Sequence, residues 1–281
     1  MNTRAIGKRL LPPALTDFGQ RLGMLGAREW EYVPEGWALR GTGVRGWNVE
    51  KVVAEETAKW PGFVGLVNGT GPLGIAHEAR AASQLDYSAH NTIAVFGYVL
   101  ARAAHAKHSI AILDWGGGLG HYYVFSSALL PEVELAYTCR DLPLMCAAGR
   151  RLLPGVTFCE DDACCLTRSY DLVHAGTSLQ YFEDWRETAS ALAGATSSYL
   201  YVARLPVVEE SDSFVVLQRP YRYGYETEYL CWYLHRREFL AHLTSCGLEL
   251  VREFLMMDRP FVYHAPEQGE YRGFLFRRRD H

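Results

Sequence analysis

The chain has 281 residues, 49% of them hydrophobic and 21% charged, which is the composition of a soluble globular protein with one large domain and a smaller appendage. Its formal net charge of −4 argues against a nucleic-acid-binding protein, because domains that bind a phosphate backbone are usually basic. No apolar run reaches the length of a membrane span, so we expect neither a nucleic acid nor a membrane as partner.

The seven cysteines are odd in number and include no Cys-x-x-Cys pair. This usage argues against a disulfide framework and against a zinc site, and it favours a reducing compartment. We therefore predict a cytoplasmic protein without a bound metal.

The chain begins with a region of weak periodicity, rich in glycine and containing Trp30, Trp37, Trp47 and Trp60. A helix is predicted over Ala89–Lys107, directly before the first core strand. We assign residues 1–108 to an N-terminal extension that forms a helical cover over the substrate.

From residue 110 onward, apolar runs of strand length alternate with segments of helical periodicity, which predicts a mostly parallel sheet covered by helices on both faces. The seven predicted strands are Ile110–Trp115, Glu134–Cys139, Val156–Cys159, Tyr170–Ala175, Tyr199–Leu205, Leu248–Met256 and Gly273–Arg277. The predicted helices among them are Tyr122–Leu130, Pro143–Leu153, Trp185–Ala193 and Arg236–Cys246. No helix separates the last two strands, which predicts an antiparallel hairpin at the end of an α/β domain spanning residues 109–281.

Residues 206–235 interrupt this alternation and are rich in aromatic side chains. In open α/β sheets, ligands bind outside the carboxyl ends of the strands, which is the edge that this insertion adjoins. We therefore predict a lid over the substrate, although some of its aromatic side chains must simply pack the insertion onto the sheet. The predicted substrate contacts are Tyr98, Tyr181, Tyr221, Tyr223, Tyr225 and Trp232.

The most informative motif, Asp-Trp-Gly-Gly-Gly-Leu-Gly, follows the first predicted strand. Glycines let such a turn lie against a ligand, because a Cβ would collide with it or strain the backbone. The spacing is acid-x-G-x-G-x-G rather than the G-x-G-x-x-G of dinucleotide sites, and an acid here suits an ammonium group and would repel a pyrophosphate. The predicted cofactor contacts in this turn are Asp114, Trp115, Gly116, Gly117, Gly118 and Gly120.

A second acid, Asp141, follows the second predicted strand, about 20 residues after the last glycine. A carboxylate at this position of a nucleotide-binding fold accepts both ribose hydroxyls. Asp141 also suits the cap of a helix that begins with Pro143, and the two roles are compatible.

These motifs resemble the class I S-adenosyl-L-methionine (SAM)-dependent methyltransferases over roughly residues 110–277. The resemblance rests on Leu-Asp-Trp-Gly-Gly-Gly-Leu-Gly, Arg-Asp-Leu-Pro, Asp-Asp-Ala and Tyr-Asp-Leu-Val-His-Ala-Gly, in that order. It implies their Rossmann-like fold, with a mostly parallel seven-stranded sheet and an antiparallel last hairpin. More narrowly, the chain resembles a bacterial methyltransferase family marked by D-W-G-G-G-x-G and S-x-Q-Y, whose members are associated with biosynthesis of small molecules or surface sugars.

The resemblance implies SAM as cofactor, S-adenosylhomocysteine as product and methyl transfer to an O, N or C atom of a small, planar or aromatic acceptor. It assigns the adenine amine to Asp162, with Asp161 as the alternative. One departure is Arg140, where the fold often has an apolar residue, which leaves Asp141 open to engagement by its neighbour. The further cofactor contacts implied are Leu142, Ala163 and Gln180.

Methyl transfer depends on alignment and exclusion of water, and it needs a base only where the acceptor is protonated. The candidate bases are His235 and Glu226 in the insertion and His90 before the glycine motif, each of which also suits a cap or a surface pair. We interpret His174 as a structural strand residue and His121 as a residue that shapes the cofactor turn.

Three alternatives stay open at this point. A SAM-binding enzyme that catalyses a non-methylating reaction would have the same folded core. A dinucleotide-dependent oxidoreductase would bind NAD(P), and a partner subunit that has lost activity would have a filled acceptor pocket. A homodimer also stays open.

Overall fold

The computed structural model describes residues 28–40, 44–73 and 87–279, so the predicted extension over residues 1–108 is described only in part. Within these ranges, the α-helices are α1 (Glu50–Val67), α2 (Tyr87–Ala103), α3 (His121–Leu129), α4 (Pro143–Leu152), α5 (Asp162–Cys165), α6 (Trp185–Ala195) and α7 (Arg236–Ser245). The strands are β1 (Trp30–Tyr32), β2 (Ser109–Trp115), β3 (Glu134–Arg140), β4 (Thr157–Cys159), β5 (Tyr170–Gly176), β6 (Thr196–Val208), β7 (Phe214–Gln218), β8 (Tyr229–His235), β9 (Leu248–Leu255) and β10 (Glu270–Arg278).

The seven predicted strands form one sheet in the order β4-β3-β2-β5-β6-β10-β9. The first five are parallel, and β10 runs antiparallel to both β6 and β9. The predicted α/β fold and its antiparallel terminal hairpin are therefore confirmed. The chain order reverses beside β2, with β3 on one side and β5 on the other, and this reversal opens a crevice at the carboxyl ends of the strands.

The insertion over residues 206–235 contains two strands that the sequence pattern did not predict. β8 pairs parallel with the end of β6, β7 pairs antiparallel with β8, and β1 pairs antiparallel with β7. The insertion is thus largely a hairpin that extends the sheet, and the N-terminal β1 belongs to the same sheet.

Helix α1 was also not predicted, because Pro61 in its interior interrupts a helical pattern. The helix buries Val52, Trp60 and Phe63 in a cluster with Leu119 of the glycine turn. The described part of the N-terminal region therefore covers the predicted cofactor turn.

Cys159 and Cys164 form a disulfide, and the other five cysteines are free. The cysteine pattern predicted no disulfide, and this prediction is wrong at Cys159 and Cys164. The turn between β4 and α5 brings the two Cα atoms to 5.7 Å, within the range that a bridge spans. Across the described ranges, no helix is long and apolar enough to cross a membrane.

Candidate cofactor and acceptor site

The turn after β2 has a backbone conformation that favours glycine. Gly116, Gly118 and Gly120 have positive φ angles of 79°, 60° and 89°. Among the described residues, a Cβ built on Gly118 would meet only the His121 Nδ1 atom, at 3.7 Å. The turn is therefore open beside Gly118, where a ligand has room to approach the backbone.

The other side of the same turn is closely packed. A Cβ on Gly116 would lie 2.4 Å from the Cβ of Ser178, and a Cβ on Gly117 would lie 2.3 Å from the Asp114 Oδ2 atom. The Ser178 hydroxyl donates to the carbonyl of Trp115 at 2.9 Å. Gly116 thus lets the turn pack against the loop after β5, and Gly117 lets it pack against the side chain of Asp114 on β2.

Asp141 joins the glycine turn to the tip of β3. Its Oδ2 accepts the backbone N–H of Gly118 at 2.8 Å, and its Oδ1 accepts the N–H of Leu142 at 2.7 Å. Burial raises the pKa of this carboxyl above its ordinary value, and the two N–H bonds act in the opposite direction. A carboxylate has about four acceptor positions, so Asp141 keeps capacity for the hydroxyls of a ligand.

The loop predicted to bind adenine is anchored to Trp115 and Arg140. Asp162 Oδ1 accepts from the indole Nε1 of Trp115 at 2.8 Å and pairs with the Arg140 Nε at 2.8 Å. The Arg140 guanidinium lies over the rings of Trp115 and Phe182, 5.2 and 5.7 Å from their centroids. Arg140 therefore forms its ion pair with Asp162 rather than with the neighbouring Asp141.

Asp161 and Ala163 are the other two residues of this loop that were predicted to contact the cofactor. Asp161 caps α5, since its carboxylate accepts the N–H of Cys164 at 2.9 Å, while Ala163 lies exposed in the helix. The disulfide between Cys159 and Cys164 closes the loop that carries both acids. The loop is thus fixed at both ends beside the predicted adenine position.

Asp114 was predicted to suit an ammonium group of the cofactor from the tip of its strand. The side chain is buried, its Oδ1 lies 2.9 Å from the Nδ1 of His174, and its Oδ2 accepts the Tyr137 hydroxyl at 2.9 Å. Both oxygens have protein partners in the layer beneath the turn. The structure therefore does not present Asp114 to the edge where the predicted ammonium contact would form.

The loop after β5 carries strained and unpaired groups at the same edge. Thr177 has a φ of 53°, unusual for a residue with a Cβ, and its N–H donates to the carbonyl of Ala203 at 2.9 Å. Arg204, next along β6, also has a φ of 53°. Gln180 is 1% exposed, and its amide oxygen and nitrogen have no hydrogen-bond partner among the described residues. Strained backbone and unpaired buried polar groups of this kind are concentrated at functional sites.

An aromatic cluster covers this edge. The ring of Trp47 stacks on that of Tyr229 with centroids 3.8 Å apart, and it contacts Tyr181 and Tyr225 edge-on at 5.2 and 6.2 Å. The Tyr225 hydroxyl also donates to Glu56 on α1. The N-terminal segment and the insertion are thus joined by these side chains, which we call the aromatic cover: Trp47, Tyr181, Tyr225 and Tyr229.

The three predicted bases lie on different elements, and the structure does not bring them together. His235 caps α7, with its Nδ1 accepting the Glu238 N–H at 3.3 Å, and Glu226 is exposed. His90 is exposed on α2, with its Nδ1 3.0 Å from the carbonyl of Leu73. Their catalytic assignment stays a prediction.

Four other predicted substrate contacts lie apart from the aromatic cover or at its margin. Tyr98 is 42% exposed on α2 and packs against β9, while the Trp232 indole donates to the carbonyl of Glu183 at 3.0 Å. The Tyr221 hydroxyl donates to Glu228, and the ring of Tyr223 lies 6.2 Å from that of Tyr225. Of the six predicted residues, Tyr181 and Tyr225 contact Trp47.

Sequence reasoning missed several residues of the site. Trp47 was noted only as part of a tryptophan-rich region, and the partner on which it stacks, Tyr229, was noted only among the aromatic residues of the insertion. The positive φ angles of Thr177 and Arg204 could not be predicted, because no sequence pattern at these positions indicates them. His174 carried a signal, since it stands two residues before the end of an apolar strand, but its pairing with Asp114 depends on strand register.

In the ranges that the structure describes, no group of three His, Cys, Asp or Glu side chains is arranged to hold a metal ion. A scan against protein-family models gives no match, and a search of curated proteins gives no match either.

Three solved structures illustrate what the fold is similar to. The magnesium protoporphyrin IX methyltransferase from Synechocystis PCC 6803 with bound SAM is 14% identical, with a TM-score of 0.47 over 84% of this chain and 100% of that chain. A SAM-dependent methyltransferase from Clostridium acetobutylicum ATCC 824 is 12% identical, with a TM-score of 0.46 over 70% and 94%. The 1,6-didemethyltoxoflavin-N1-methyltransferase from Burkholderia thailandensis is 15% identical, with a TM-score of 0.43 over 67% and 79%. Similarity at this level describes the fold alone, so the function has to be argued from the residues of this chain.

Proposed function

We propose that this protein is a SAM-dependent methyltransferase of class I, related to the bacterial family with the D-W-G-G-G-x-G motif. The observation that carries the proposal is the bond from the Gly118 N–H to Asp141 Oδ2, at 2.8 Å. It joins the predicted ribose acid to the predicted cofactor turn, at the point where the strand order reverses. Open α/β folds bind their ligands at this point.

The residues present fit such a cofactor. The open side of the turn at Gly118 admits a ligand against the backbone, and the spare acceptor positions of Asp141 suit the two ribose hydroxyls. Asp162, whose carboxylate is held by the Trp115 indole and the Arg140 guanidinium, can accept a hydrogen bond from the adenine amine. When bound, SAM supplies a methyl group on a sulfonium whose leaving group departs neutral.

The aromatic cover supports a small planar or aromatic acceptor. Aromatic pairs favour edge-on and offset contacts, so the rings of Tyr181 and Tyr225 suit the faces of a flat molecule. Burial raises the pKa of both Tyr181 and Tyr229, so these hydroxyls stay protonated near neutral pH and act as donors rather than bases. The acceptor atom is an O, N or C atom, and we place the reaction in bacterial specialised biosynthesis.

We propose further that the enzyme is cytoplasmic, acts on a small molecule and binds neither a nucleic acid nor a membrane. Both a monomer and a homodimer are compatible with this proposal. The net charge of −4 supports the absence of a nucleic-acid partner.

Calorimetric titration of the purified protein with SAM, S-adenosylhomocysteine and NADH, run in parallel, tests the proposal. We expect binding of the first two ligands and none of NADH. Binding of NADH alone would favour a dinucleotide-dependent oxidoreductase and overturn the proposal. If SAM binds, counting labelled methyl groups in product and in unreacted SAM separates methyl transfer from a non-methylating reaction on the same fold.

A further inference from the structure

His174 lies in the middle of the sheet, beneath the proposed cofactor turn. Its side chain is 0% exposed, and its Nδ1 lies 2.9 Å from Asp114 Oδ1. Its other ring nitrogen, Nε2, has no hydrogen-bond partner in the part of the chain that the structure describes. Buried polar atoms are nearly always paired, so an unpaired ring nitrogen at this depth calls for a partner outside the chain.

The position of Asp114 fixes which nitrogen of His174 carries the proton. A carboxylate only accepts hydrogen bonds, so the shared proton belongs to Nδ1 and the lone pair to Nε2. The Tyr137 hydroxyl holds the other carboxylate oxygen at 2.9 Å, which fixes the orientation of Asp114 in turn. A carboxylate that orients an imidazole in this way prepares its far nitrogen to accept a proton.

The Nε2 atom is directed towards the carboxyl end of β5. A Cβ built on Gly176, the last residue of that strand, would lie 3.0 Å from His174 Nε2 and 2.8 Å from Cε1. Any larger residue at position 176 would therefore cover this edge of the ring. The ring of Tyr201 stacks on the imidazole with centroids 5.5 Å apart, and the rings of Phe96 and Tyr122 contact it at 4.9 and 4.4 Å.

We propose that His174 is the general base of the reaction, acting through Nε2 on an acceptor that carries a dissociable O–H or N–H, with Asp114 as its positioning residue. This inference rests on the proposed function. The acceptor's proton passes to Nε2, the freed electron pair forms the bond to the methyl carbon, and the electrons of the broken C–S bond return to sulfur. The imidazolium is balanced by Asp114 until its proton passes to water.

The other titratable groups around His174 do not compete for this role. Burial raises the pKa of Tyr122, Tyr137 and Tyr201, and the charge of Asp114 acts in the same direction on the first two. All three hydroxyls therefore stay protonated. The charge of Arg204 acts in the opposite direction on the pKa of Tyr122 and Tyr201, and Arg204 is paired with Asp258.

The accessibility and tautomer of His174 can be measured without knowing the acceptor. Diethyl pyrocarbonate acylates an unprotonated imidazole nitrogen, and peptide mass mapping after a short exposure gives the rate at each histidine, with exposed His90 as internal reference. We expect His174 to react in the native protein. An unreactive His174 in native protein, modified only after unfolding, would overturn the inference.

Two variants of the network provide matched tests of the tautomer. Asp114→Asn keeps the size of the side chain but lets its amide donate to Nδ1, which moves the proton to Nε2, and we expect acylation of His174 to slow by about tenfold or more. Tyr137→Phe removes only the second partner of Asp114 and leaves the proton on Nδ1 of His174, so we expect the rate to slow less than in Asp114→Asn. Equal rates in wild type and Asp114→Asn would show that Asp114 does not set the tautomer and would overturn its positioning role.

His174→Asn separates the base from a structural role, because its amide can still donate to Asp114 while no atom replaces Nε2. In labelled methyl transfer to a panel of phenols, catechols and aromatic amines, we expect kcat to fall by about 100-fold or more while S-adenosylhomocysteine affinity is unchanged. Full turnover by His174→Asn would refute the base assignment. If wild type binds neither SAM nor S-adenosylhomocysteine, the proposed function fails instead, whatever the reactivity of His174.

Discussion

Replacing Asp141 by alanine tests the proposed cofactor site most directly. The carboxylate accepts two backbone N–H groups, from Gly118 at 2.8 Å and Leu142 at 2.7 Å. The variant removes the proposed charge-assisted contacts with ribose and also frees the turn from the tip of β3. We expect Asp141→Ala to weaken S-adenosylhomocysteine binding by about 1–3 kcal/mol, a factor of roughly 5 to 150 in Kd.

The assay is calorimetric titration of S-adenosylhomocysteine, with the melting temperature recorded to show that each variant is folded. Asp141→Asn retains one acceptor oxygen, so its loss of affinity should be intermediate. Glu160→Ala is the matched control, because Glu160 is an exposed acid nearby whose partner is Arg150, and its affinity should stay within about 0.5 kcal/mol of wild type. A folded Asp141→Ala protein with wild-type affinity would remove Asp141 from the ribose site.

The same residue predicts a pH dependence. Because burial raises the pKa of Asp141, the carboxyl takes up its proton at a higher pH than an ordinary aspartate, whose pKa is about 4. A protonated carboxyl has fewer acceptor positions for ribose, so affinity should fall as the pH is lowered through the raised pKa. The free energy of unfolding changes with pH in the opposite direction. Because the pKa of this carboxyl is higher in the folded state, its protonation stabilises the fold. This contribution is complete below the pKa of the unfolded state and is lost as the pH rises through the pKa of the folded state. Affinity in Asp141→Asn should lack this step.

Three further predictions concern the turn, the cover and the disulfide. Gly118→Val should abolish S-adenosylhomocysteine binding in a folded protein, since a β-branched residue at φ 60° distorts the open side of the turn; retained binding would mean that no ligand approaches there. Trp47→Ala should speed dissociation of S-adenosylhomocysteine roughly fivefold, because it removes a stacking contact worth about 1 kcal/mol. The control is Trp37→Ala, which should leave the dissociation rate unchanged because Trp37 contacts Trp232 outside the aromatic cover. Reducing the Cys159–Cys164 disulfide should lower the free energy of unfolding by about 2 kcal/mol for so short a loop, and an unchanged denaturation midpoint on addition of dithiothreitol would contradict it.

The core of the fold was predictable because its strands and helices are short, apolar or amphipathic segments separated by proline and glycine. The antiparallel hairpin β9–β10 was predicted from the absence of a helix between two apolar runs, and the structure confirms it. Strand β8 was missed, since its aromatic residues suggested a lid rather than a paired strand. Helix α1 was missed because Pro61 breaks the pattern, although its buried Val52 and Phe63 anchor it on the core.

The site was predictable where a residue's role depends on its place at a strand end. The position of Asp141 follows from the end of β3, and the bonds from Gly118 and Leu142 agree with it. The partners of Asp114 were not predictable in this way. They come from β3 and β5, which flank β2, and the pairing of Asp114 with His174 requires the register of two strands that are 60 residues apart in the sequence.

The burial of Asp114 changes how the acid in the glycine motif is explained. A Cβ on Gly117 would lie 2.3 Å from Asp114 Oδ2 and 2.7 Å from the Cys139 sulfur, so glycine at this position is required by the acid and its strand rather than by a ligand. Within the motif, Gly118 combines a positive φ with open space, whereas Gly116 and Gly120 also have positive φ but are closely packed. The motif therefore encodes two constraints at once: Gly118 leaves room above the sheet, and Gly117 leaves room for a carboxylate below it. That carboxylate, held by Tyr137, orients His174 towards the edge where the acceptor is proposed to bind, so the motif would serve cofactor binding and proton transfer together.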